Sequence, residues 1–261
     1  MLAFALAVAV AGSVTGDLLV GGTGHPAHAA AADRPVSVPA APNPATVELD
    51  RLIAANVALR QGAGRGRLIA LTFDDGPGAY TSAVVSELRR LKAPATFFEI
   101  GEQIPRYRSL VAHMVRWGFV VGDHTWSHRQ LTLLSNAQVT SQILLTKNLI
   151  TKVTGTPPLF MRPPYGAQNA RIRTLAGREG MLTTLWSIDT RDWTRPGVPA
   201  IVAAASAARP GMIVLLHDGG GVRSQTVAAV PIIVRILRAR GDHLVTLPQL
   251  LALAPPAHLG S

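Results

Sequence analysis

Cysteine is absent from all 261 residues, which excludes thiolate metal sites, a cysteine nucleophile and thiol–disulfide chemistry. A chain of this length can bury a core without such staples. Lysine is nearly absent as well: Lys92, Lys147 and Lys152 are the three lysines among 25 basic residues. Charged residues make up only 15%, too few for a coiled coil, while 48% hydrophobic content is too high for a disordered chain. Acidic residues number 15, so the formal charge is +10 at pH 7. That balance favours residence near anionic polymers: nucleic acid, anionic lipid or an acidic cell wall. The arginines are scattered and form no basic–aromatic motif, so no nucleic-acid partner is expected. H-E-x-x-H, H-x-H and G-x-S-x-G are missing too, which removes zincin-type proteases, the usual metal-dependent amidohydrolase barrel and a serine nucleophile elbow. A Gly22-x-Gly24-x-x-Ala27 string mimics a dinucleotide fingerprint, but no strand–helix unit surrounds it.

What is present divides the chain into four parts. Leu2–Val14 is an uncharged run of small and apolar residues, too short to span a bilayer comfortably, and Ala27-His28-Ala29 offers a small-x-small cleavage pattern. No Lys or Arg precedes the run. Residues 1–29 therefore read as a signal peptide or a membrane anchor. Residues 30–66 read as an Ala/Pro-rich linker followed by a short helix, whose amphipathic pattern covers Val47–Arg60. Residues 67–253 form the expected catalytic domain and 254–261 a tail.

From Leu68 onward, short apolar runs alternate with helical periodicity. Leu68–Phe73, Ala95–Ile100, Phe119–Gly122, Leu159–Met161, Met181–Ile188, Met212–Leu216 and His243–Leu247 predict buried strands. Between them, Thr81 is a helix cap, Ser135-x-x-Gln138 a capping box, Gly155 and Gly241 helix stops, and Pro199 a first-turn residue. Seven β-then-α units predict an α/β fold: a parallel sheet covered by helices, close to a closed barrel.

The chemistry-bearing residues cluster just past the strands. Asp74 and Asp75 follow the first, His124 and His128 the third, Arg162 the fourth, Asp189 and Asp192 the fifth, His217 and Asp218 the sixth. In a parallel α/β fold these positions share the carboxyl rim, where active sites form. Two imidazoles four residues apart plus a carboxylate make an open catalytic metal site. Adjacent carboxylates at 74 and 75 repel unless they share a cation or proton.

Thr72-Phe73-Asp74-Asp75-Gly76-Pro77, His124-Thr-Trp-Ser-His128, Arg162-Pro-Pro-Tyr165-Gly166, Asp189-Thr-Arg-Asp192-Trp193 and Leu215-Leu216-His217-Asp218 resemble, in order, the five motifs of the polysaccharide deacetylases. This is carbohydrate esterase family 4, the nodulation-type deacetylase homology domain. The resemblance covers roughly residues 67–253. It implies a distorted (β/α) barrel of about seven units with the active site at the strand C-terminal ends. It also implies roles: Asp75, His124 and His128 bind a divalent metal, usually zinc, with cobalt or another divalent ion as substitutes. Asp74 is the base and His217 the acid. Arg162 holds Asp74, and Asp189 or Asp192, with Asp192 the expected one, orients His217. The Tyr165 backbone N–H stabilises the oxyanion, and Tyr165 and Trp193 line the sugar groove.

One departure stands out. Asp123 occupies a position where the family more often has Asn, and reads as either a support for the metal ligands or a solvent-facing acid. Gly219-Gly220-Gly221 reads as a loop passing close to substrate, or a flexible turn. His113 reads as a surface or half-buried residue and Trp117, Trp126 and Trp186 as packing residues. Glu99 and Glu102 share the rim without a match. The function implied is a secreted or wall-associated, monomeric, metal-dependent deacetylase acting on N-acetyl groups of peptidoglycan or a chitin-like polymer. The alternatives are an acetylxylan O-deacetylase and a catalytically inactive wall-binding module.

Overall fold

The computed structural model describes residues 43–256. The apolar segment at 2–14, the cleavage pattern at 27–29 and most of the linker lie outside them. No helix among the described residues is long and apolar enough to cross a membrane.

The first helix, α1, spans Pro44–Ala54. Asn43 caps it by accepting from the Ala45 N–H at 3.0 Å, and Pro44 occupies the first turn. It ends six residues before the expected Arg60. Asn56 takes a left-handed φ of 52°, which terminates the helix before its amphipathic pattern runs out.

The sheet is wholly parallel and has eight strands. They are β1 (Leu68–Gly76), β2 (Thr96–Glu99), β3 (Val120–Asp123), β4 (Phe160–Met161), β5 (Leu182–Thr183), β6 (Ile188–Asp189), β7 (Ile213–His217) and β8 (His243–Val245). Their order is β5-β4-β3-β2-β1-β7-β6, with β8 paired to the start of β1. The helices between them are α2 (Thr81–Arg90), α3 (Arg108–Arg116), α4 (Asn136–Thr154), α5 (Ala170–Arg178), α6 (Val198–Ser206), α7 (Ser224–Ala239) and α8 (Leu247–Leu253). The distorted (β/α) barrel expected from sequence is what forms.

The expected fifth strand, Met181–Ile188, is two strands. Its start, β5, pairs with β4, and its end, β6, pairs with β7 at the opposite edge. The residues between them pass from one edge to the other without a β5–β6 ladder, which is the distortion of the barrel. Each strand is two residues long, below what periodicity can register.

Strand parity sorts the side chains into two cores. Phe73, Phe97, Val121, Val214 and Leu216 face the helices α2, α3 and α7. Phe73 stacks on Phe97 at 5.1 Å and Phe119 meets Phe97 edge-on at 5.5 Å. Truncating Phe97 to alanine removes the middle of this trio, a change that costs about 3–5 kcal/mol in a packed core. Ala70, Phe98, Phe160, Leu182 and Ile213 face the interior and pack with Leu49 and Leu52 of α1 and Leu250 and Leu251 of α8. The capping box at Ser135 and Gln138 forms, and Gly155 ends α4 at φ 77°. Thr81 is not a cap: it begins α2 after Tyr80, and its hydroxyl turns to Asp218.

Candidate active site

Continuing the interior parity of β1 beyond Ala70 brings Thr72 and then Asp74 into the upper barrel. β7 pairs beside β1 with Asp74 opposite His217, so both side chains reach the same rim. Asp75 follows with φ 69°, a left-handed conformation that redirects its carboxylate. Thr125, His128 and Tyr165 also adopt left-handed backbones, with φ 69°, 55° and 63°. Such conformations cost about 1–3 kcal/mol each and persist where surrounding structure fixes them, which is common at functional sites.

Asp75, His124 and His128 converge. Asp75 Oδ1 lies 3.3 Å from His124 Nε2 and 3.1 Å from His128 Nε2. Three ligand atoms, one from each residue, lie within 4.8 Å of one another. His124 Nδ1 is bound to the Arg162 carbonyl at 2.7 Å, which sets the ring so that Nε2 faces the carboxylates. Two imidazoles and one carboxylate suit a divalent ion of zinc type with coordination positions left for water and substrate. Burial would raise the Asp75 pKa, but its bonds to His124 and His128 outweigh burial and hold it well below the usual carboxylate range. Burial likewise pushes His124 down, and the carboxylates of Asp74 and Asp75 more than reverse it. The cluster is built for positive charge.

Asp74 sits beside this group, with Oδ2 3.8 Å from His124 Nε2. Its Oδ1 accepts from Arg162 Nη1 at 2.7 Å. Arg162 is fully buried and its fork also donates to Thr72 Oγ1 at 2.9 Å, the Leu185 carbonyl at 3.0 Å and the Thr184 carbonyl at 3.4 Å. Its guanidinium lies 4.1 Å from the Phe98 ring centre. Burial lowers the Arg162 pKa and Asp74 opposes that shift.

His217 is held by Asp192, not by Asp189. Its Nδ1 meets Asp192 Oδ1 at 2.7 Å and its backbone N–H donates to Oδ2 at 2.9 Å. Thr226 Oγ1 donates to the same Oδ2 at 2.6 Å. Asp189 is exposed and accepts from the Arg191 N–H instead. Burial depresses the His217 pKa, but the Asp192 carboxylate overrides it and the net direction is up. Tyr165 is exposed and its ring meets that of His128 edge-on at 4.8 Å. Trp193 is half exposed on the short turn that begins at Asp192.

Asp123 is not solvent-facing. It is fully buried, on the same strand face as Val121, and its Oδ1 accepts from the Thr125 N–H at 2.7 Å. Burial pushes its pKa up to about 8, against the Thr125 bond and the nearby His124 and Lys147 charges. The glycine loop passes close to Asp75 itself. A Cβ at Gly219 would overlap the Asp75 carbonyl, and one at Gly220 would press on its carboxylate. Arg223 ties this loop down by donating to the Gly219 and Gly220 carbonyls at 2.7 and 3.0 Å.

Sequence reasoning missed Thr226 and Arg223, and it gave no role to Thr72, Glu99 and Asp218, which it placed in a motif or on the rim. The last two acids converge over Gly76, are fully buried, and leave both Glu99 oxygens and Asp218 Oδ1 without a hydrogen-bond partner. Burial, then mutual proximity and Asp74, raises Glu99 well above its usual range. Burial raises Asp218 to about 7 despite its bond to Thr81. Parity offered a signal here, since Glu99 follows Phe97 and Asp218 follows Leu216 onto the helix-facing side.

Residues 61–183 match the family described as polysaccharide deacetylase. A peptidoglycan-N-acetylglucosamine deacetylase of Bacillus cereus is 43% identical over 189 residues, 71% of this chain and 88% of that protein. A chitooligosaccharide deacetylase of a Bradyrhizobium species is 37% identical over 198 residues, covering 70% and 90%. Among solved structures, a peptidoglycan N-acetylglucosamine deacetylase in complex with 4-naphthalen-1-yl-N-oxidanyl-benzamide superposes with a TM-score of 0.73 at 29% identity. It covers 77% of this chain and 95% of that one.

Proposed function

This chain belongs to the polysaccharide deacetylase family, a family of N-acetyl-hydrolysing enzymes, and on that footing we propose that it is a secreted or wall-associated deacetylase of peptidoglycan. It converts N-acetyl groups on the glycan strands to free amines and releases acetate. The observation that carries this reading is the convergence of Asp75, His124 and His128 between two separately held groups, Asp74–Arg162 and His217–Asp192.

Asp75, His124 and His128 would hold the divalent ion, zinc by preference, because the donor set is two imidazoles and one carboxylate. When bound, that ion would supply Lewis acidity, polarising the acetyl carbonyl and making the attacking water more acidic. Asp74 accepts the proton of the attacking water, and Arg162 keeps its carboxylate aimed at the site. The Tyr165 N–H donates to the developing oxyanion, an interaction worth on the order of 3–4 kcal/mol. As the C–N bond breaks, His217 passes a proton from Nε2 to the departing nitrogen. Asp192 fixes the tautomer this requires by binding Nδ1. The exposed rings of Tyr165 and Trp193 border the opening and offer faces to sugar rings.

Every group in this scheme comes from one chain, so the scheme needs no residue from a second copy. Secretion is supported by the apolar run at 2–14 and the cleavage pattern at 27–29. The deciding experiment measures acetate released from peptidoglycan, chitin oligomers and acetylated xylan by the same zinc-loaded preparation. Peptidoglycan is expected to be fastest. No release from any of the three would end the reading.

A further inference from the structure

Asp74, Asp75, Glu99, Asp123, Asp192 and Asp218 gather at the carboxyl rim. At the other end of the barrel, where β2, β3 and β8 begin, two grooves meet. One, of about 410 Å³, is walled by Arg89, Lys92 and Trp117. The other, of about 380 Å³, is walled by Lys92, Arg238 and His243. Lys92 and Pro94 line both, so they form one trough.

Trp117 is not a core residue; it is 38% exposed on the trough wall. Arg89 stacks on its ring at 3.8 Å and His113 stacks at 5.1 Å, which fixes the Arg89 guanidinium in place. Arg238 is held by the carbonyls of Leu91 and Lys92 at 2.6 and 2.9 Å. Arg89, Lys92 and Arg238 have no carboxylate partner among the described residues. The two nearby acids are already engaged: Glu87 by Arg90, and the buried Asp242 by Arg67 and Arg240. Helix C-termini attract cations through the helix dipole, which accounts for one or two of these residues but not for a trough with an ordered aromatic wall.

We infer that this trough is a second binding site for the enzyme's own polymer, holding carboxylates of peptidoglycan stem peptides while another segment of the same polymer occupies the catalytic rim. The inference rests on the peptidoglycan reading above. Of the three candidate substrates, peptidoglycan carries free carboxylates along its length, whereas chitin oligomers and acetylated xylan backbones do not. β1 runs from the trough end at Leu68 to the metal ligand Asp75, seven steps of about 3.3 Å, so the sites are roughly 23 Å apart. A short oligosaccharide cannot reach both. A polymer can, and the second contact raises its effective concentration at the rim.

The test compares the full-length zinc-loaded protein with Arg89→Glu/Lys92→Glu, and with Arg60→Glu/Arg178→Glu as an exposed pair of equal charge change elsewhere. At low salt the trough variant is expected to raise KM for peptidoglycan by roughly tenfold with kcat unchanged, and to leave both constants for chitin oligomers as in wild type. It should also stop sedimenting with insoluble peptidoglycan, and about 0.5 M salt should erase its difference from wild type. Lys92→Gln, a milder change, should shift KM and sedimentation in the same direction if the double reversal lowers Tm. Sedimentation needs no turnover, so it separates two failures. A wild type that deacetylates chitin oligomers but not peptidoglycan defeats the substrate reading, and sedimentation then decides the trough alone. A trough variant that sediments like wild type, or a control pair that loses as much, overturns the trough.

Discussion

Asp192 grips His217 at two points, Nδ1 at 2.7 Å and the backbone N–H at 2.9 Å, so the same carboxylate fixes both the tautomer of the ring and the end of the strand that carries it. This relationship sets a pH dependence. Burial alone would lower the His217 pKa; the Asp192 carboxylate raises it above the ordinary histidine value. The protonated acid therefore persists to higher pH, and the alkaline limb of kcat falls where His217 loses its proton. Asp192→Asn removes the charge that raises it. The alkaline limb should then move to lower pH, with kcat at its optimum reduced on the order of a hundredfold or more. A pH profile of acetate release checks both; an unmoved limb would show that the limb belongs to another group.

The neighbours Asp74 and Asp75 should separate by function. Asp75→Asn should lose metal, because an amide is a poorer ligand than a carboxylate already flanked by His124 and His128. Asp74→Asn should retain metal and lose turnover, because an amide does not accept the water proton. Chelation should abolish wild-type activity, and zinc or cobalt should restore it. Elemental analysis beside kcat reads the outcome: metal lost from both variants, or from neither, contradicts this division.

His217→Ala should spare metal content and depress kcat on amides by roughly two to four orders of magnitude. On activated aryl acetates the loss should be smaller, since an aryloxide departs without a proton. Equal losses on the two substrate types would remove His217 from the acid role.

Arg162 is the test of the interior. Arg162→Met leaves Asp74 buried beside β7 with its charge uncompensated, a kind of change that costs roughly 3–5 kcal/mol. Arg162→Lys keeps the charge but cannot reproduce contacts to Thr72, Asp74, Thr184 and Leu185 together. Denaturant unfolding should rank wild type above Lys above Met, and kcat should follow the same order. A Met variant as stable as wild type would show that Arg162 is not what compensates Asp74.

The motif residues were legible because they combine unusual residue types with positions just past apolar runs; a buried strand followed by Asp-Asp or by His-x-x-x-His has few structural explanations. The strand rhythm gave the parallel barrel for the same reason. Met181–Ile188 was misleading because apolar residues, broken only by Thr183, Thr184 and Ser187, recur across the whole crossing from one edge to the other, and apolar content does not distinguish a strand from a buried bridge. Asp123, Glu99 and Asp218 were harder for another reason. Their burial is visible from parity with Val121, Phe97 and Leu216, but an acid on a helix-facing side contradicts the usual cost of burying charge, a cost that appears as a raised pKa at all three. The Trp117 trough lies on helix ends joined by tertiary packing, which no local pattern encodes.

The last prediction concerns the polymer. Peptidoglycan should be deacetylated faster than acetylated xylan, with chitin oligomers accepted as smaller analogues. The carbonyl does not decide this, because an N-acetyl and an O-acetyl group present the same one to Asp74 and the metal ligands. The leaving group and the charge of the polymer bear on it instead. Amide hydrolysis needs a protonated leaving group, and the raised pKa of His217 keeps that proton available at neutral pH, where an alkoxide from xylan needs it less. The formal charge of +10 draws the enzyme to a polymer with carboxylates and gives it no advantage on a neutral one. Acetate release at matched acetyl concentration should therefore favour peptidoglycan most at low salt, and the ratio should fall as salt screens the charge. Xylan exceeding peptidoglycan at low salt would refute the substrate assignment while leaving the roles of Asp74 and His217 to their own tests.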